Sequence, residues 1–230
     1  MNNKYFTRKL LVLLWFLLPF HLFANEVVEV NFKKDLEYHN HDTYEVWYDI
    51  DFKNPTFVIW TLTFEDAESS DATNNTRPSG NFVKCKSAPR PDYSNYNKNN
   101  SGSILDKGHM CPNNDRDWSV ESAKNTFRAC NICPQHNKLN RGIWQKYEKY
   151  AHELANKYMS VTIVCGPIYG KDLRRVGKNN SVLPEAFFKV FIYNGEIQEV
   201  YIFSNDENAN IQKVDIEEIK NLTGLTFCLK

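Results

Sequence analysis

Asp106-Lys107-Gly108-His109, Asn131-Ile132-Cys133-Pro134-Gln135 and Asn140-Arg141-Gly142-Ile143-Trp144-Gln145-Lys146-Tyr147-Glu148 follow one another in the segment DKGHMCPNNDRDWSVESAKNTFRACNICPQHNKLNRGIWQKYE at 106–148. Gly108 beside His109 allows a ligand to approach the backbone, and a neutral imidazole is the side chain best suited to take a proton from water near pH 7. Lys107 would face a phosphate as a point charge. Asn140, Trp144 and Glu148 step by four, which predicts one face of a helix running toward Ala155. The plainer reading is an amphipathic helix with Trp144 in the core and Asn140 capping its start. Both readings hold together if an amide ligand is mounted at a helix start on a buried tryptophan. Mg²⁺ takes oxygen ligands and keeps most of its waters, so one amide and a nearby carboxylate suffice when the substrate supplies phosphate oxygens.

Working outward, Thr56–Thr63 (TFVIWTLT) is β-branched and aromatic behind Pro55 and predicts a buried strand. Ser160–Cys165, Phe187–Tyr193 and Glu199–Phe203 predict three more, with Asn194-Gly195 a hairpin turn. Residues Val214–Leu222 have helical spacing with Asp215 near the start and Gly224 after the end, before a short strand holding Cys228. Asn25–Asp51 mixes polar and aromatic residues without a clean period and predicts an irregular arm with one strand; His39 and His41 lie there and receive no function. Glu65–Ser103 predicts a long loop broken by a short strand around Phe82–Cys85. Strands joined by turns rather than helical crossovers predict an α+β fold, an antiparallel sheet flanked by helices.

The apolar fraction is 42%, with 15 Phe, 12 Tyr and 5 Trp in 230 residues, enough for one buried core. Lys4, Arg8 and Lys9, the apolar run Leu10–Phe20 and Ala24 predict an export signal over 1–24, followed by a single domain over 25–230. The run is too short to span a bilayer; its alternative is an uncleaved N-terminal anchor. Without residues 1–24 the chain loses three of 28 basic side chains and none of 28 acidic ones, leaving a net charge of −3. Nucleic-acid affinity must then come from a local patch. Residues 106–149 supply one, with Lys107, Arg116, Lys124, Arg128, Lys138, Arg141, Lys146 and Lys149 against five acids.

Six cysteines (85, 111, 130, 133, 165 and 228) behind an export signal predict up to three disulfides. The competing reading is a zinc site from Cys130-x-x-Cys133-x-x-His136 with Cys111 or His109.

The three spaced motifs together resemble the DNA/RNA non-specific endonucleases, secreted nucleases and mitochondrial endonuclease G relatives built on a ββα-metal (His-Me) finger. The resemblance extends to Phe57–Thr63, Arg77–Phe82, Val164–Tyr169, Phe187–Val190 and Thr223–Leu225. It implies a magnesium-dependent endonuclease acting on DNA and RNA, with manganese as an alternative ion. His109 is implied as general base, Asn140 as the direct metal ligand and Glu148 as a partner of the ion's water shell. Asn131 would orient the site, and Arg77 would bind phosphate. Lys107, Arg141 and Gln135 would contact substrate. One departure is Lys107, where the family motif carries arginine; a lysine offers one compact charge instead of a bidentate fork. Another is the Cys130/Cys133 pair around Asn131, which would allow a bridge from either, for example to Cys111, as a brace. A rival reading is a nucleic-acid- or inhibitor-binding module that has lost catalysis. The signal places the protein outside the membrane, periplasmic or secreted, and N-terminal sequencing of exported protein should give Asn25 as its first residue; an intact Met1 would refute cleavage.

Overall fold

In a computed structural model, residues 28–73, 82–93, 96, 98–99 and 102–230 are described. The expected signal over 1–24 and Arg77 lie outside them. The chain begins with β1 (Val28–Asn31), β2 (Glu37–Asn40), β3 (Glu45–Asp49) and β4 (Asn54–Thr63). Three strands therefore occupy the segment expected to hold one. The polar residues that hide their period are themselves buried: Asp49 accepts from Lys34 Nζ at 3.0 Å and from the backbone N–H groups of Asp51 and Phe52.

Helix α1 (Phe64–Thr73) stands where a loop was expected. Its start carries a reciprocal cap: Thr63 Oγ1 accepts from the Asp66 N–H at 3.1 Å, and Asp66 Oδ2 accepts from the Thr63 N–H at 3.3 Å. Around Phe82–Cys85 the expected strand reduces to isolated bridges, Val83 to Arg128 and Cys85 to Ala88. The chain continues through β5 (Leu105–His109), α2 (Val120–Thr126), β6 (Ile132–His136), α3 (Gln145–Tyr158) and β7 (Ser160–Ile168). It ends with β8 (Ala186–Tyr193), β9 (Glu196–Ser204), β10 (Ile211–Lys213), α4 (Ile216–Thr223) and β11 (Thr226–Leu229).

Seven strands form one sheet in the order β10-β9-β8-β7-β4-β3-β2, each neighbouring pair antiparallel. This is the α+β architecture expected from the sequence. Asn194 and Gly195 link β8 to β9 with φ of 54° and 75°, the positive values that a two-residue hairpin turn requires. Helix α4 starts under an Asp215 cap, whose Oδ1 accepts from Glu218 N–H at 2.9 Å, and stops at Gly224.

Alternation along β4 distributes its residues to two cores. Val58, Trp60 and Leu62 face α3 and the β5–β6 region, packed with Trp144, Ala151 and Leu154. Phe57 and Ile59 face the opposite side, with Ile219 of α4, Leu225 and Val28. Helix α3 is also tied to the sheet through Glu199 of β9, which accepts hydroxyl bonds from Tyr150, Tyr193 and Tyr201. Among the described residues no helix is long and apolar enough to cross a membrane.

Burial alone would raise the Glu199 carboxyl, but the Tyr201, Tyr150 and Tyr193 hydroxyls and the Lys213 ammonium hold it below its ordinary value. Stability from such a group is complete above the ordinary carboxylate range and fades as pH falls through the folded-state pKa. Glu199→Gln should therefore lose about 2 kcal/mol at neutral pH. The gap from wild type should close in acid, as measured by urea unfolding at a series of pH values; a gap independent of pH would refute the assignment.

Candidate active site

Strands β5 and β6 pair antiparallel, with Asp106 opposite Gln135, Gly108 opposite Cys133 and His109 opposite Ile132. Gly108 is required here by contact. A Cβ built on it would fall 2.1 Å from Gln135 Oε1 and 2.7 Å from Gln135 Cβ. Gln135, expected to meet substrate, is completely buried and fills the space left by the missing side chain. The absence of a side chain on Gly108 lets the glutamine lie inward, so none of its surface is exposed.

His109 ends β5 with 8% of its surface exposed. Its ring packs edge-on against Phe127 at 4.9 Å and tilted against Phe82 at 5.5 Å. Lys107, on the same side of the strand, is exposed and sets its Nζ 5.5 Å from the Phe82 ring centre. The two Phe rings were not anticipated as walls of the imidazole. Asn131, expected to orient the site, bonds to backbone on both sides. Its Oδ1 accepts from the Cys111 N–H at 2.9 Å, and its Nδ2 donates to the carbonyls of Cys111 and Thr126 at 2.8 and 2.9 Å. The Met110 N–H bonds its carbonyl at 2.9 Å. The chain leaving His109 is thereby clamped by the fully buried Asn131.

After β6 the helix does not run straight. Asn137–Leu139 is one α turn, Asn140–Trp144 a π turn, and regular α3 begins only at Gln145. Gly142 takes φ −113°, ψ −111°, outside the helical region. The expectation that Asn140, Trp144 and Glu148 share one face, with Asn140 as a cap, is corrected by this break. Asn140 has helical dihedrals (φ −57°, ψ −46°), and its Nδ2 donates to Asp106 Oδ2 at 2.9 Å. Trp144 is wholly buried between Phe187 and Phe203. Arg141, expected at substrate, forks onto Asp106 with Nε at 2.8 Å and Nη2 at 2.6 Å. Asp106 thus braces the helix against the strand that carries His109, about 10 Å further along. With the amide nitrogen of Asn140 engaged, its oxygen is the atom suited to a hard divalent ion, so the donor set fits magnesium or manganese.

Glu148 is half-buried one turn into α3, beside charges that the sequence reading missed. Burial pushes its carboxyl up to about 7, against the opposing pull of Lys189; Asp115 adds to the rise, and His152 and Trp144 oppose it. Lys189 is 1% exposed with Nζ 4.0 Å from the Trp144 ring centre. Asp115 is fully buried, accepting from Trp60 Nε1 at 2.8 Å and lying 2.9 Å from His152 Nε2. The i, i+4 spacing of Glu148 and His152 was the available signal.

The family model for DNA/RNA non-specific endonucleases matches residues 24–230. The chain belongs to that family. Human mitochondrial endonuclease G is 32% identical over 145 residues, covering 55% of this chain and 49% of its own length. The Xenopus laevis mitochondrial nuclease EXOG is 27% identical over 203 residues, 78% of this chain and 55% of its own. A Nostoc nuclease is 28% identical over 193 residues, 74% and 65% respectively. The chain spans about half the length of the first two. A solved structure of the EndoG/EndoGI complex, addressing the mechanism of EndoG inhibition, shares the fold with a TM-score of 0.72 at 22% identity, covering 85% of this chain and 87% of that one.

The structure holds a disulfide, in keeping with the first reading of the cysteines. Cys85 bridges Cys130, while Cys111, Cys133 and Cys165 are buried thiols and Cys228 is an exposed one. One disulfide forms where up to three were expected, and it joins Cys130 to Cys85 rather than to Cys111. The suggested zinc set also separates: Cys133 lies within β6, opposite Gly108, and His136 Nδ1 accepts from the Lys138 N–H.

Gly108→Ala tests the hairpin contact. Swinging the end of Gln135 away still leaves its Cβ 2.7 Å from the new methyl. The substitution should cost about 1–3 kcal/mol, read from thermal or urea unfolding. A variant as stable as wild type would refute the close approach.

Proposed function

We propose that the chain is an exported, magnesium-dependent endonuclease that hydrolyses DNA and RNA phosphodiesters with little sequence preference. The carrying observation is the Asp106 carboxylate, which fixes the Asn140 amide from the same strand that ends in His109. Family membership supports the reaction class.

His109, walled by Phe82 and Phe127, takes a proton from the water that attacks phosphorus in line, while the bond from phosphorus to the leaving 3′-oxygen breaks. Asn131 fixes the backbone behind the imidazole and so limits its wandering. Asn140 would hold the ion through its amide oxygen, and Glu148 would receive hydrogen bonds from the ion's waters. When bound, the cation supplies positive charge against the oxygens that become more negative as the reaction proceeds. Lys107 contributes one ammonium to a phosphate, and Arg77 is assigned a second phosphate contact. Arg141 acts first through Asp106, because its fork already holds that carboxylate. Export follows from the 1–24 signal, with DNA and RNA as partners and no membrane association after its removal. An inhibitor protein is a further partner by analogy with the EndoG complex.

A purified full chain should nick supercoiled DNA and degrade RNA with Mg²⁺ and stop with EDTA. His109→Ala should fall by about 10²- to 10⁴-fold with its fold retained, checked by circular dichroism. Wild-type cleavage by that variant would refute the base assignment. Binding of nucleic acid by the wild type without metal-dependent nicking would favour the binding module instead.

A further inference from the structure

Outside the Asp106–Glu148 site, one cluster of ligand-type side chains stands out: His39, His41, Cys85 and Cys130. One ligand atom from each lies within 4.8 Å of all the others. Both cysteines are buried and both histidines half-buried. His41 Nε2 is 3.2 Å from Cys130 Sγ and 3.9 Å from Cys85 Sγ. The His39 and His41 rings lie nearly parallel, 8° apart, with centres separated by 6.0 Å. Three separate pieces of chain meet here: the β2 edge and its following turn, the loop after Phe82, and the turn before β6.

We propose that these four residues form a second cation site, for a tetrahedral thiolate-seeking ion such as zinc, when the Cys85–Cys130 bridge is reduced. Tetrahedral nitrogen and sulfur ligands at about 2.0–2.3 Å from zinc stand about 3.3–3.8 Å from one another. His41 Nε2 already stands near that spacing from both sulfurs, the His39 ligand atom lies within 4.8 Å of the other three, and opening the bridge lets the sulfurs separate to it. A ligating imidazole needs its other nitrogen held, commonly by a carboxylate. Glu37 is the group available: its Oε1 stands 2.8 Å from His39 Nε2. The same carboxylate accepts from Ser87 Oγ at 2.6 Å and from the Ser87 N–H at 3.2 Å, two residues after Cys85. It therefore ties one histidine to the cysteine-bearing loop. Lys86 Nζ, 3.9 Å from Glu37, and Arg128, close enough to act on His41, oppose a cation. Two thiolates and Glu37 outweigh them.

The chemistry balances with a dithiol as reductant. The bridge gains two electrons and two protons as the dithiol becomes its own disulfide. Each thiol then releases its proton as it binds the ion. The bridge joins two of these segments, and the cation would join all three. One segment includes Asn131, next to Cys130, so either form braces the strand turn behind His109. The site is separate from the magnesium reading and stands without it.

The full chain is reduced with dithiothreitol, desalted anaerobically and titrated with Co²⁺, whose visible spectrum reports tetrahedral thiolate ligation. One Co²⁺ per chain should give thiolate charge-transfer and d–d bands, displaced by Zn²⁺ and absent from unreduced protein. His41→Ala keeps both cysteines, so its fold is checked first in the oxidised form. After reduction it should bind Co²⁺ at least about 100-fold more weakly. Cys130→Ser should lose the two-thiolate spectrum, and Cys228→Ser should keep it. No thiolate band in the reduced wild type, or an undiminished band in His41→Ala or Cys130→Ser, overturns the proposal.

Discussion

Strand β4 must be buried on both faces, and the architecture follows from that requirement. Alternation sends Val58, Trp60 and Leu62 one way and Phe57 and Ile59 the other, so neither side of the central sheet can be left to water. One face is covered by α4 and the β1–β11 pair. The other is covered by α3 and the β5–β6 hairpin. The segment that carries His109 and Asn140 is thus half of the cover over a core, and apolar packing holds it in place. Trp144, between Phe187 and Phe203, belongs to both structures at once.

Much of this was legible from residue pattern. The strands at Thr56, Ser160, Phe187 and Glu199, the Asn194-Gly195 turn and the Asp215-capped helix each carry a local signal, and each forms close to its expected place. Failures concentrate where polar residues are buried. Glu45 and Asp49 broke the apparent period of β3, and the acidic, serine-rich α1 looked like loop although Thr63 and Asp66 formed a capping box. Within the site, the motif pointed to His109 and Asn140, but gave Asp106 no role and did not report its bonds to Asn140 and Arg141. Gln135 faces inward because of a van der Waals contact with Gly108, which no spacing rule reports. The pairing of Cys85 with Cys130, and their approach to His39 and His41, arises from three segments far apart in sequence.

Behind the helix, Lys189, His152 and Asp115 are buried beside the half-buried Glu148, which brings titratable groups of both signs together. An isolated buried charge would be expelled or neutralised, whereas opposite charges with hydrogen bonds can remain. Trp60 and His152 hold Asp115, and Lys189 partly offsets the rise in the Glu148 carboxyl. This layer sets the electrostatic background against which any ion near Asn140 would be felt.

The π turn at Asn140–Trp144 acts as a phase shifter between two helical clocks. A continuous α-helix would lock the azimuth of the amide to that of the tryptophan, since both would ride the same 100° step. The wider turn lets the residues before Gly142 keep time with the β5 carboxylate while those after it keep time with the aromatic core. Sequence change in the core can then be absorbed on one side of the slip without rotating the amide on the other. Deleting a single residue from this turn would restore the lock and force one of the two registers to give way.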